Sequence, residues 1–296
     1  MFIMNLKLLS SDFFYSPQFA LKVIERDPEI PYPLHSHDFF ELVIIVSGKG
    51  DHITSSNTFS LFPENVFVIT PGLEHGYQNV ENLHLYNILF TSKIFIDAFP
   101  DLRNMPGYHA LMTIEPNYRN DQLLQYFMQL TPSQMGIIMP IVENMHKEAD
   151  SIDSDDESKS IAMSLMVQLL VILFRFYSSS PRKDNTTILR IADAISFLEA
   201  HTDRSITIKE LLEITNMSVS TLNRHFQNAT GLSPIEYHIQ LRVEEATRYM
   251  RNTDLTMNEI SEATGFSDAN YFSRQFRKVM GMSPREYKKN KSYWYQ

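Results

Sequence analysis

Residues 256–287 read TMNEISEATGFSDANYFSRQFRKVMGMSPREY, and residues 207–237 carry a related stretch, TIKELLEITNMSVSTLNRHFQNATGLSPIEY. Aligned on their ends, the two copies place Arg274 opposite Arg224, and the phrase Gly-x-Ser-Pro-x-Glu-Tyr closes both. Each copy has the pattern of a short helix, a tight turn and a longer helix. This is the layout of a helix-turn-helix, which delivers its second helix to the major groove of DNA. The repeat therefore predicts two tandem DNA-binding motifs.

The longer helix of each copy separates apolar from polar positions with a helical period. Leu222 and Phe226 form the apolar stripe of the first helix, and Phe272 and Phe276 form that of the second. Arginine pairs with guanine and asparagine with adenine in the major groove. The outward-facing polar residues are therefore the predicted DNA-binding set: Ser220, Thr221, Asn223, Arg224, Asp268, Asn270, Ser273 and Arg274. The alternative is that the arginines are ordinary solvated charges on a helix surface.

The ends of the predicted helices carry local signals of their own. Asn216 and Gly265 lie between the paired helices and are residue types that tolerate a left-handed backbone. A proline in the first turn favours a long connecting helix over residues 234–252. Four residues are predicted N-caps: Thr207, Ser218, Thr256 and Asp268.

Length and charge indicate two domains of different character. The 296 residues are about twice the usual domain size. The formal net charge is −9, of which residues 1–184 carry −10 and residues 185–296 carry +1. Contacts to DNA phosphates need lysine and arginine, but a local basic surface in the second half is sufficient for them. The acidity therefore belongs to the N-terminal half and does not exclude DNA binding.

Several features that would define other protein classes are missing from the sequence. Cysteine is absent, which excludes disulfides, thiolate zinc sites and cysteine nucleophiles. The first residues lack the basic and long apolar regions of a signal peptide, so we expect a cytoplasmic protein. The most apolar run, residues 161–174, is shorter than the roughly 20 residues that a membrane span needs. We therefore expect no membrane association and a helix that is buried or faces a partner.

The N-terminal half alternates short apolar runs with turn signals, which is typical of a β-sandwich or barrel. Strands are predicted over residues 39–46, 58–62, 66–70 and 83–90, with Ser-Gly-Lys-Gly at 47–50 as one turn signal. Helical patterns follow over residues 122–130, 132–149 and 157–177. The predicted fold class is α+β in two domains. Residues 1–178 form the first domain, residues 179–187 are a linker, and residues 188–290 form an all-α domain with two helix-turn-helix motifs.

The second half resembles the AraC/XylS family of bacterial transcription regulators. The resemblance covers residues 188–290 and is strongest in GFSDANYFSRQFRKVMGMSPREYK, residues 265–288. It implies two helix-turn-helix motifs on one long helix that contact successive major grooves of promoter DNA. It also implies a contact between RNA polymerase sigma factor and an acidic residue on the first helix of the second motif, here Glu259. A solvated charge near a helix N-terminus is the alternative for Glu259.

The first half resembles the cupin barrel in HSHDFFELVIIVSG, residues 35–48, and in PGLEHGY, residues 71–77. The resemblance implies a ligand set of His35, His37, Glu41 and His75, which suits a divalent first-row metal. The first motif lacks its leading glycine, and Asn65 occupies the leading glycine position of the second. These departures leave the ligand positions intact, and a metal-dependent cupin enzyme is therefore one alternative function.

Regulators of the AraC/XylS family carry cupin-like sensor domains, in which the same histidines line a sugar pocket or support the barrel. We accordingly predict an effector pocket formed by His35, His37, Glu41, His75, Tyr77 and Tyr86. Tyrosine rings stack on sugars, and the polar groups bind their hydroxyls. A bound metal at the histidines and Glu41 stays possible beside a metal-free pocket and purely structural histidines.

The sequence most resembles the L-rhamnose-responsive members of that family, so we expect a sugar such as L-rhamnose as effector. In the family, the region that contains residues 161–174 pairs subunits, which implies a homodimer; burial against its own barrel is the alternative. Our prediction is a DNA-binding transcription regulator that is not an enzyme. We expect an activator, with a repressor of the same family as the alternative.

Overall fold

The computed structural model describes residues 6–14, 19–91, 99–120, 127–150, 156–179 and 183–290. The chain falls into two compact units, residues 1–189 and residues 190–296. The first, here the N-terminal unit, combines a β-structure with helices, and the second, the C-terminal unit, is helical. The α+β, two-domain prediction is confirmed. In the described part of the chain, the strands are β1 (Leu6–Leu8), β2 (Leu21–Arg26), β3 (Tyr32–His37), β4 (Phe40–Thr54), β5 (Thr58–Leu61), β6 (Asn65–Ile69), β7 (His75–Phe90) and β8 (Met128–Gln129).

Two long strands, β4 and β7, organise the N-terminal unit: its eight described strands form one sheet, which these two strands bend into two layers, called the first and second sheets below. The first part of β4 pairs antiparallel with the last part of β7, from Phe40 opposite Phe90 to Ile45 opposite Leu85. The rest of β4 pairs with the first part of β7, ending with Thr54 opposite His75. Strands β2, β6 and β8 extend the first sheet, whereas β1, β3 and β5 extend the second.

The bend between the two halves of β4 falls at Ser-Gly-Lys-Gly, residues 47–50, where the register shifts repeatedly. The prediction of a turn between strands was therefore wrong: these residues lie inside one strand. Gly48 has φ of +78°, and a Cβ there would collide with the carbonyl of Asn82. Glycine inside a strand often marks such a bulge and a close backbone approach.

The two sheets face each other and share one apolar core. Val43, Ile45 and Phe67 come from the first sheet and pack against Phe59 and Leu83 of the second. All five are at most 4% exposed. Burial of such side chains contributes about 1.5–3 kcal/mol each, so this core holds the barrel together below the cavity described later.

Helices cover the rest of the N-terminal unit. In the described residues they are α1 (Ser10–Phe13), α2 (Pro106–His109), α3 (Glu115–Asn120), α4 (Pro132–Asp150) and α5 (Asp156–Ser178), with a 3₁₀ turn at Pro100–Asn104 and a π-helical turn at Ala110–Ile114. Helices α4 and α5 pack on each other, and α4 also packs on β2. Tyr177 of α5 donates to Glu115 at 3.0 Å. Glu115 pairs with Arg119 at 2.9 Å, and Arg119 donates to the carbonyl of Val68 in β6 at 3.0 Å.

Helix α5 matches the predicted helix over residues 157–177 to within one residue at each end, but its apolar part is longer than the 14-residue run. Residues Glu157–Ser178 are long and apolar enough to cross a membrane by length and composition, so the argument from a 14-residue run was wrong. One face of the helix is buried within the N-terminal unit, where Leu169, Leu173 and Tyr177 are fully buried. One such helix is weak evidence for a membrane span, because the core helix of a protein without a span passes the same test.

In the described residues, the C-terminal unit contains helices α7 to α12 and the part of α6 from Arg190 onward. They are α6 (Lys183–Ala200), α7 (Ile208–Thr215), α8 (Val219–Thr230), α9 (Pro234–Asn252), α10 (Met257–Ala263), α11 (Ala269–Met280) and α12 (Pro284–Lys289). The predicted connecting helix over residues 234–252 has the predicted bounds. Its Ser233 N-cap forms a capping box with Glu236, and Pro234 opens the helix.

Two boundary predictions were wrong. Residues 183–187 of the predicted linker form the start of α6, because no proline follows Pro181 there and the apolar stripe of the helix continues into Ile188 and Ile191. In the predicted helix 122–130, Met128 and Gln129 form β8, which pairs with β6. Pairing at a sheet edge overrides a local pattern. Residues 122–126 of that prediction lie outside the described residues.

Candidate functional site: a barrel cavity and two matched helices

A cavity of about 90 Å³ opens between the two sheets of the N-terminal unit. Five of the six residues of the predicted effector pocket line it: His35, His37, Glu41, His75 and Tyr77. The strand register explains why they meet. His35 is the register partner of His75 across β3 and β7, and Glu41 enters from the start of β4. Residues distant in sequence thus meet on one wall.

Tyr86 is the pocket residue that the structure does not bring to the cavity. Side chains alternate along a strand, and Asn87 and Leu89 of β7 face the cavity, so Tyr86 faces the other side. Its hydroxyl donates to Glu25 at 2.8 Å, and its ring contacts His146 of α4. The sequence alternation could have separated Tyr86 from Asn87 if the strand face had been known.

Three of the four predicted metal ligands form a compact group. The ligand atoms of His37, Glu41 and His75 all lie within 4.8 Å of one another, and all three residues are buried. Nε2 of His37 is 3.2 Å from Oε2 of Glu41, and Nε2 of His75 is 3.8 Å from the same oxygen. His35 lies beside this group: its ring centroid is 4.2 Å from that of His75, and its Nδ1 is bonded to the carbonyl of Pro33 at 3.1 Å.

Burial controls the protonation of the cavity wall. It lowers the pKa of His75 well below its usual value, and it also lowers the pKa of His35. It raises the pKa of the Tyr77 hydroxyl well above its usual value and raises that of Glu29, which also lines the cavity. At neutral pH His35 and His75 are therefore neutral imidazoles and Tyr77 is a neutral phenol.

Several polar atoms of the wall are buried and lack a hydrogen-bond partner within the described residues. They are Nε2 of His37, both ring nitrogens of His75, the hydroxyl of Tyr77 and Oδ1 of Asn87. Buried polar atoms are almost always paired in folded proteins. Their convergence in one cavity is what a site for a polar ligand requires.

Strand β1 and helix α1 form one side of this cavity. Strand β1 pairs parallel with β3, with Leu6 opposite His35. Leu8 and Phe13 line the cavity, and the Phe13 ring packs on Phe39 with centroids 5.3 Å apart. The backbone N–H of Ser10 donates to Asp38 at 2.6 Å. Sequence patterns did not indicate this contribution, because β1 and α1 are too short to show a period.

The two helix-turn-helix motifs of the C-terminal unit have matched ends. The first motif is α7–α8 and the second is α10–α11; each longer helix has 12 residues. All four predicted N-caps accept a backbone hydrogen bond with their side chain. Asn216 has φ of +49° and Gly265 of +71°, so both left-handed predictions are confirmed. Gly231 and Gly281 end α8 and α11 in the same left-handed conformation.

The exposure of α8 and α11 follows the predicted faces. Leu222, Phe226, Phe272 and Phe276 are buried. Of the eight predicted DNA-binding residues, all are exposed except Thr221, which is half-buried. The guanidinium of Arg274 lies 5.9 Å from the Tyr271 ring. Arg224 and Arg274 occupy the same position in helices of equal length, each two residues before its buried Phe226 or Phe276.

Some of the eight residues also form hydrogen bonds within their own helix. Asp268 is the N-cap of α11 and accepts the N–H of Asn270 at 2.7 Å. The Ser273 hydroxyl donates to the carbonyl of Ala269 at 2.9 Å. The Thr221 hydroxyl lies 2.9 Å from that of the N-cap Ser218. Asp268, Ser273 and Thr221 thus take part in the capping or backbone bonds of their own helices.

Glu259, the predicted sigma-factor contact, is exposed on α10. Its Oε2 accepts the N–H and the hydroxyl of Thr256, both at 2.7 Å, in a capping box. These bonds lower the pKa of Glu259. Glu210, Glu236 and Glu286 form the same box with Thr207, Ser233 and Ser283. Glu259 thus has the same helix-capping role as these three glutamates.

Comparison with known proteins gives matches over both units. A protein family described as an AraC-like ligand binding domain matches residues 21–169, and a helix-turn-helix domain family matches residues 211–290. The chain is 30% identical over 282 residues to the HTH-type transcriptional activator RhaS of Escherichia fergusonii, covering 95% of this chain and 96% of that protein. It is 27% identical over 285 residues to the HTH-type transcriptional activator RhaR of Enterobacter sp. strain 638, covering 95% of each.

Proposed function

Because this chain belongs to the AraC family of transcription regulators, we propose that it activates transcription in response to a sugar held in the barrel cavity. L-rhamnose is the first candidate, since relatives at about 30% identity are the activators RhaS and RhaR. The sugar assignment rests on the wall of the cavity, where several buried hydrogen-bonding atoms lack a partner within the described residues. A neutral, hydroxyl-rich molecule can satisfy both donors and acceptors there.

The size of the cavity restricts the effector to a small molecule. At about 90 Å³ it is well below the 300–1,000 Å³ or so of pockets that bind drug-sized ligands. A monosaccharide or a smaller polyol is therefore favoured over an oligosaccharide. The aromatic rings of Tyr32, Phe13 and Tyr77 line the same space and offer faces for C–H stacking.

Promoter DNA is the partner of the C-terminal unit. We assign base contacts to the eight polar residues of α8 and α11, foremost Arg224, Arg274, Asn223 and Asn270. Arginine and asparagine form bidentate pairs with base edges. The neighbours of the two arginines differ between the motifs, so the two half-sites should differ in sequence. Binding to promoter DNA is consistent with the expected cytoplasmic location and with a protein that is not an enzyme.

We propose that two copies of the chain form a homodimer through the exposed face of α5. Ile161, Leu165, Gln168 and Ile172 recur at alternating intervals of four and three residues, which is the spacing of a coiled-coil seam. All four are exposed or half-buried, and Ile161 is 46% exposed.

Sedimentation of the variant Ile161→Asp/Leu165→Asp should give monomers where the wild type gives dimers. Phe62→Asp, which removes an exposed apolar residue elsewhere, should leave the dimer intact.

Fluorescence anisotropy with DNA from upstream of the chain's own gene tests the proposal. We expect salt-sensitive binding with preference over a scrambled duplex, and a change in affinity when L-rhamnose, other deoxy sugars or uronates are added. An effector can shift the regulator only by binding its two states differently. A reporter that falls on effector addition would indicate a repressor, and equal affinity for the scrambled duplex would contradict the DNA assignment.

A further inference from the structure

Three strands deliver one ligand atom each to a point on the cavity wall. His37 ends β3, Glu41 lies at the start of β4, and His75 begins β7. A zinc-like ion with bonds of about 2.0–2.2 Å holds neighbouring ligand atoms about 3–3.5 Å apart. The observed separations from Oε2 of Glu41 are 3.2 Å to His37 and 3.8 Å to His75. The group is therefore close to the spacing of a metal site before any ion is added.

The tautomer of His37 gives this arrangement a chemical requirement. Its Nδ1 lies 2.7 Å from the carbonyl of Phe39, an acceptor, so Nδ1 carries the proton. In the neutral ring, Nε2 then bears a lone pair, and this lone pair faces a carboxylate oxygen of Glu41 that is also an acceptor. Two acceptors at 3.2 Å in a buried site repel each other. One cation bound by both atoms removes this repulsion.

A hydrogen bond between His37 and Glu41 alone would leave the rest of the group unexplained. His75 is fully buried, and both of its ring nitrogens lack a hydrogen-bond partner within the described residues. A neutral imidazole is the form that binds metals. A single metal ion satisfies His37, Glu41 and His75 together, whereas a proton satisfies one pair.

The bond from His37 to Phe39 also has the form of an outer-shell contact. Metal-binding histidines almost always donate their second N–H to a carbonyl or carboxylate, which sets the tautomer and ring orientation. The Phe39 ring stacks on that of His37 at 4.3 Å with an interplanar angle of 5°, which fixes its plane further. His37 is thus oriented by two contacts that leave Nε2 directed at Glu41.

We propose that His37, Glu41 and His75 bind one divalent first-row transition metal ion in the barrel cavity. Two imidazoles and one carboxylate favour zinc, cobalt, nickel or iron over magnesium or calcium, which prefer oxygen ligands. Three protein ligands leave coordination positions open to the cavity, where the Tyr77 hydroxyl and Asn87 Oδ1 lack partners in the described residues. His35 is a neighbour of the site and not a ligand. The metal site uses three of the residues that line the proposed effector pocket, and its test requires neither the effector nor DNA.

Metal titration of untagged full-length protein tests this site. The protein is stripped with a chelator, desalted and titrated with Co²⁺, followed by visible absorption and calorimetry. We expect one Co²⁺ per chain, displaced by one Zn²⁺, and a rise in melting temperature on binding. His37→Gln and Glu41→Gln should each weaken binding by more than about tenfold, since loss even of outer-shell contacts costs 10–100-fold. His35→Gln should keep the full stoichiometry and affinity.

The result that overturns the proposal is wild-type protein that takes up no stoichiometric Co²⁺ or Zn²⁺. Uptake that is equal in wild type, His37→Gln and Glu41→Gln would also overturn it, because the ion would then bind elsewhere. Far-ultraviolet circular dichroism of each metal-free variant checks that it folds. Because the readout is metal uptake, failure of DNA binding by the same preparation would count against the proposed function and not against the metal site.

Discussion

The guanidinium carbon of Arg242 lies 3.7 Å from the centroid of the Phe266 ring. Arg242 comes from the connecting helix α9, and Phe266 follows the turn of the second motif. Nε of Arg242 donates to the carbonyl of Thr264 at 2.7 Å, and the residue is only 4% exposed. Burial lowers the pKa of Arg242 to about 10, so it stays charged at neutral pH. This contact holds the turn of the second motif on α9.

Replacement of Arg242 by methionine should destabilise the C-terminal unit. The aliphatic volume is retained, but the charged hydrogen bond and the cation–π contact are lost, which we expect to lower the free energy of unfolding by about 1–3 kcal/mol. Urea unfolding followed by circular dichroism measures this loss. Arg248→Met is the matched control: Arg248 pairs with Glu245 at the surface of the same helix, and its loss should cost less than about 1 kcal/mol. Equal losses in the two variants would contradict the assigned role.

Alanine at Gly265 should cost more stability than alanine at Gly231. Both glycines have positive φ, +71° and +76°, so each substitution carries about 1–2 kcal/mol of backbone strain. A Cβ at Gly265 would also lie 2.5 Å from Cα of Arg204, whereas one at Gly231 meets nothing within 4 Å. The backbone at Arg204 would have to move. Thermal unfolding of the two variants should therefore rank Gly265→Ala clearly below Gly231→Ala, and the reverse order would be inconsistent with this packing.

Arg224→Ala and Arg274→Ala should each weaken binding to the preferred operator by about 1–3 kcal/mol at particular base pairs. Arg224→Lys and Arg274→Lys keep the charge but lose the planar, bidentate geometry, so they should recover phosphate attraction without base preference. Anisotropy with single-base operator variants measures both. Lys209→Ala, on the exposed surface of α7, is the control for loss of one positive charge. If all five variants lose affinity uniformly across sequences, the arginines contact phosphates only.

Glu259→Gln separates the two roles of Glu259. Glutamine can keep the capping box with Thr256, so we expect thermal stability close to that of the wild type. If Glu259 contacts sigma factor through its charge, transcription from a reporter should fall while operator affinity stays unchanged. Glu259→Ala should lower both stability, by about 0.5–2 kcal/mol, and transcription. A wild-type level of transcription in Glu259→Gln would leave Glu259 with its structural role alone.

Acid should weaken the N-terminal unit through His52. Burial lowers the pKa of His52 from 6.5 to about 3 in the fold, so below pH 6.5 the unfolded chain binds a proton that the folded chain does not. The contribution of His52 to stability is therefore complete above pH 6.5 and is lost progressively between pH 6.5 and 3, by about 2 kcal/mol at pH 5. His52 packs against the rings of Phe67 and Phe127. His52→Phe, compared at pH 7 and pH 5 with a chelator present, should show a smaller loss of unfolding free energy; an unchanged loss would assign it to other groups.

The motifs of the C-terminal unit could be predicted closely because their signals are local. A cap residue, a left-handed position and an apolar stripe each act within a few residues, so Thr207, Asn216 and Phe226 were assigned from their neighbours alone. Arg242 escaped prediction for the opposite reason. An arginine in a helical pattern indicates solvent, and only the fold brings the Phe266 ring and the Thr264 carbonyl to it.

The cavity was predicted less completely because its wall depends on strand pairing. The histidine and glutamate positions carried a family resemblance, and the structure brings them together. Tyr86 was misassigned because the sequence does not say which face of β7 turns inward. A shift of one residue along a strand moves a side chain to the opposite face. The bend within β4 was mistaken for a turn, since glycine signals both.

Each of the helices α8 and α11 begins at a polar N-cap, runs for 12 residues and ends at a left-handed glycine followed by a capped proline helix. Apart from Asp268, these boundaries are set by residues outside the predicted DNA-binding set. The surface residues between these boundaries can therefore be replaced without changing the residues at which the helix begins and ends. An engineer could give either motif a new target sequence independently, and natural divergence of the duplicated motif had the same freedom.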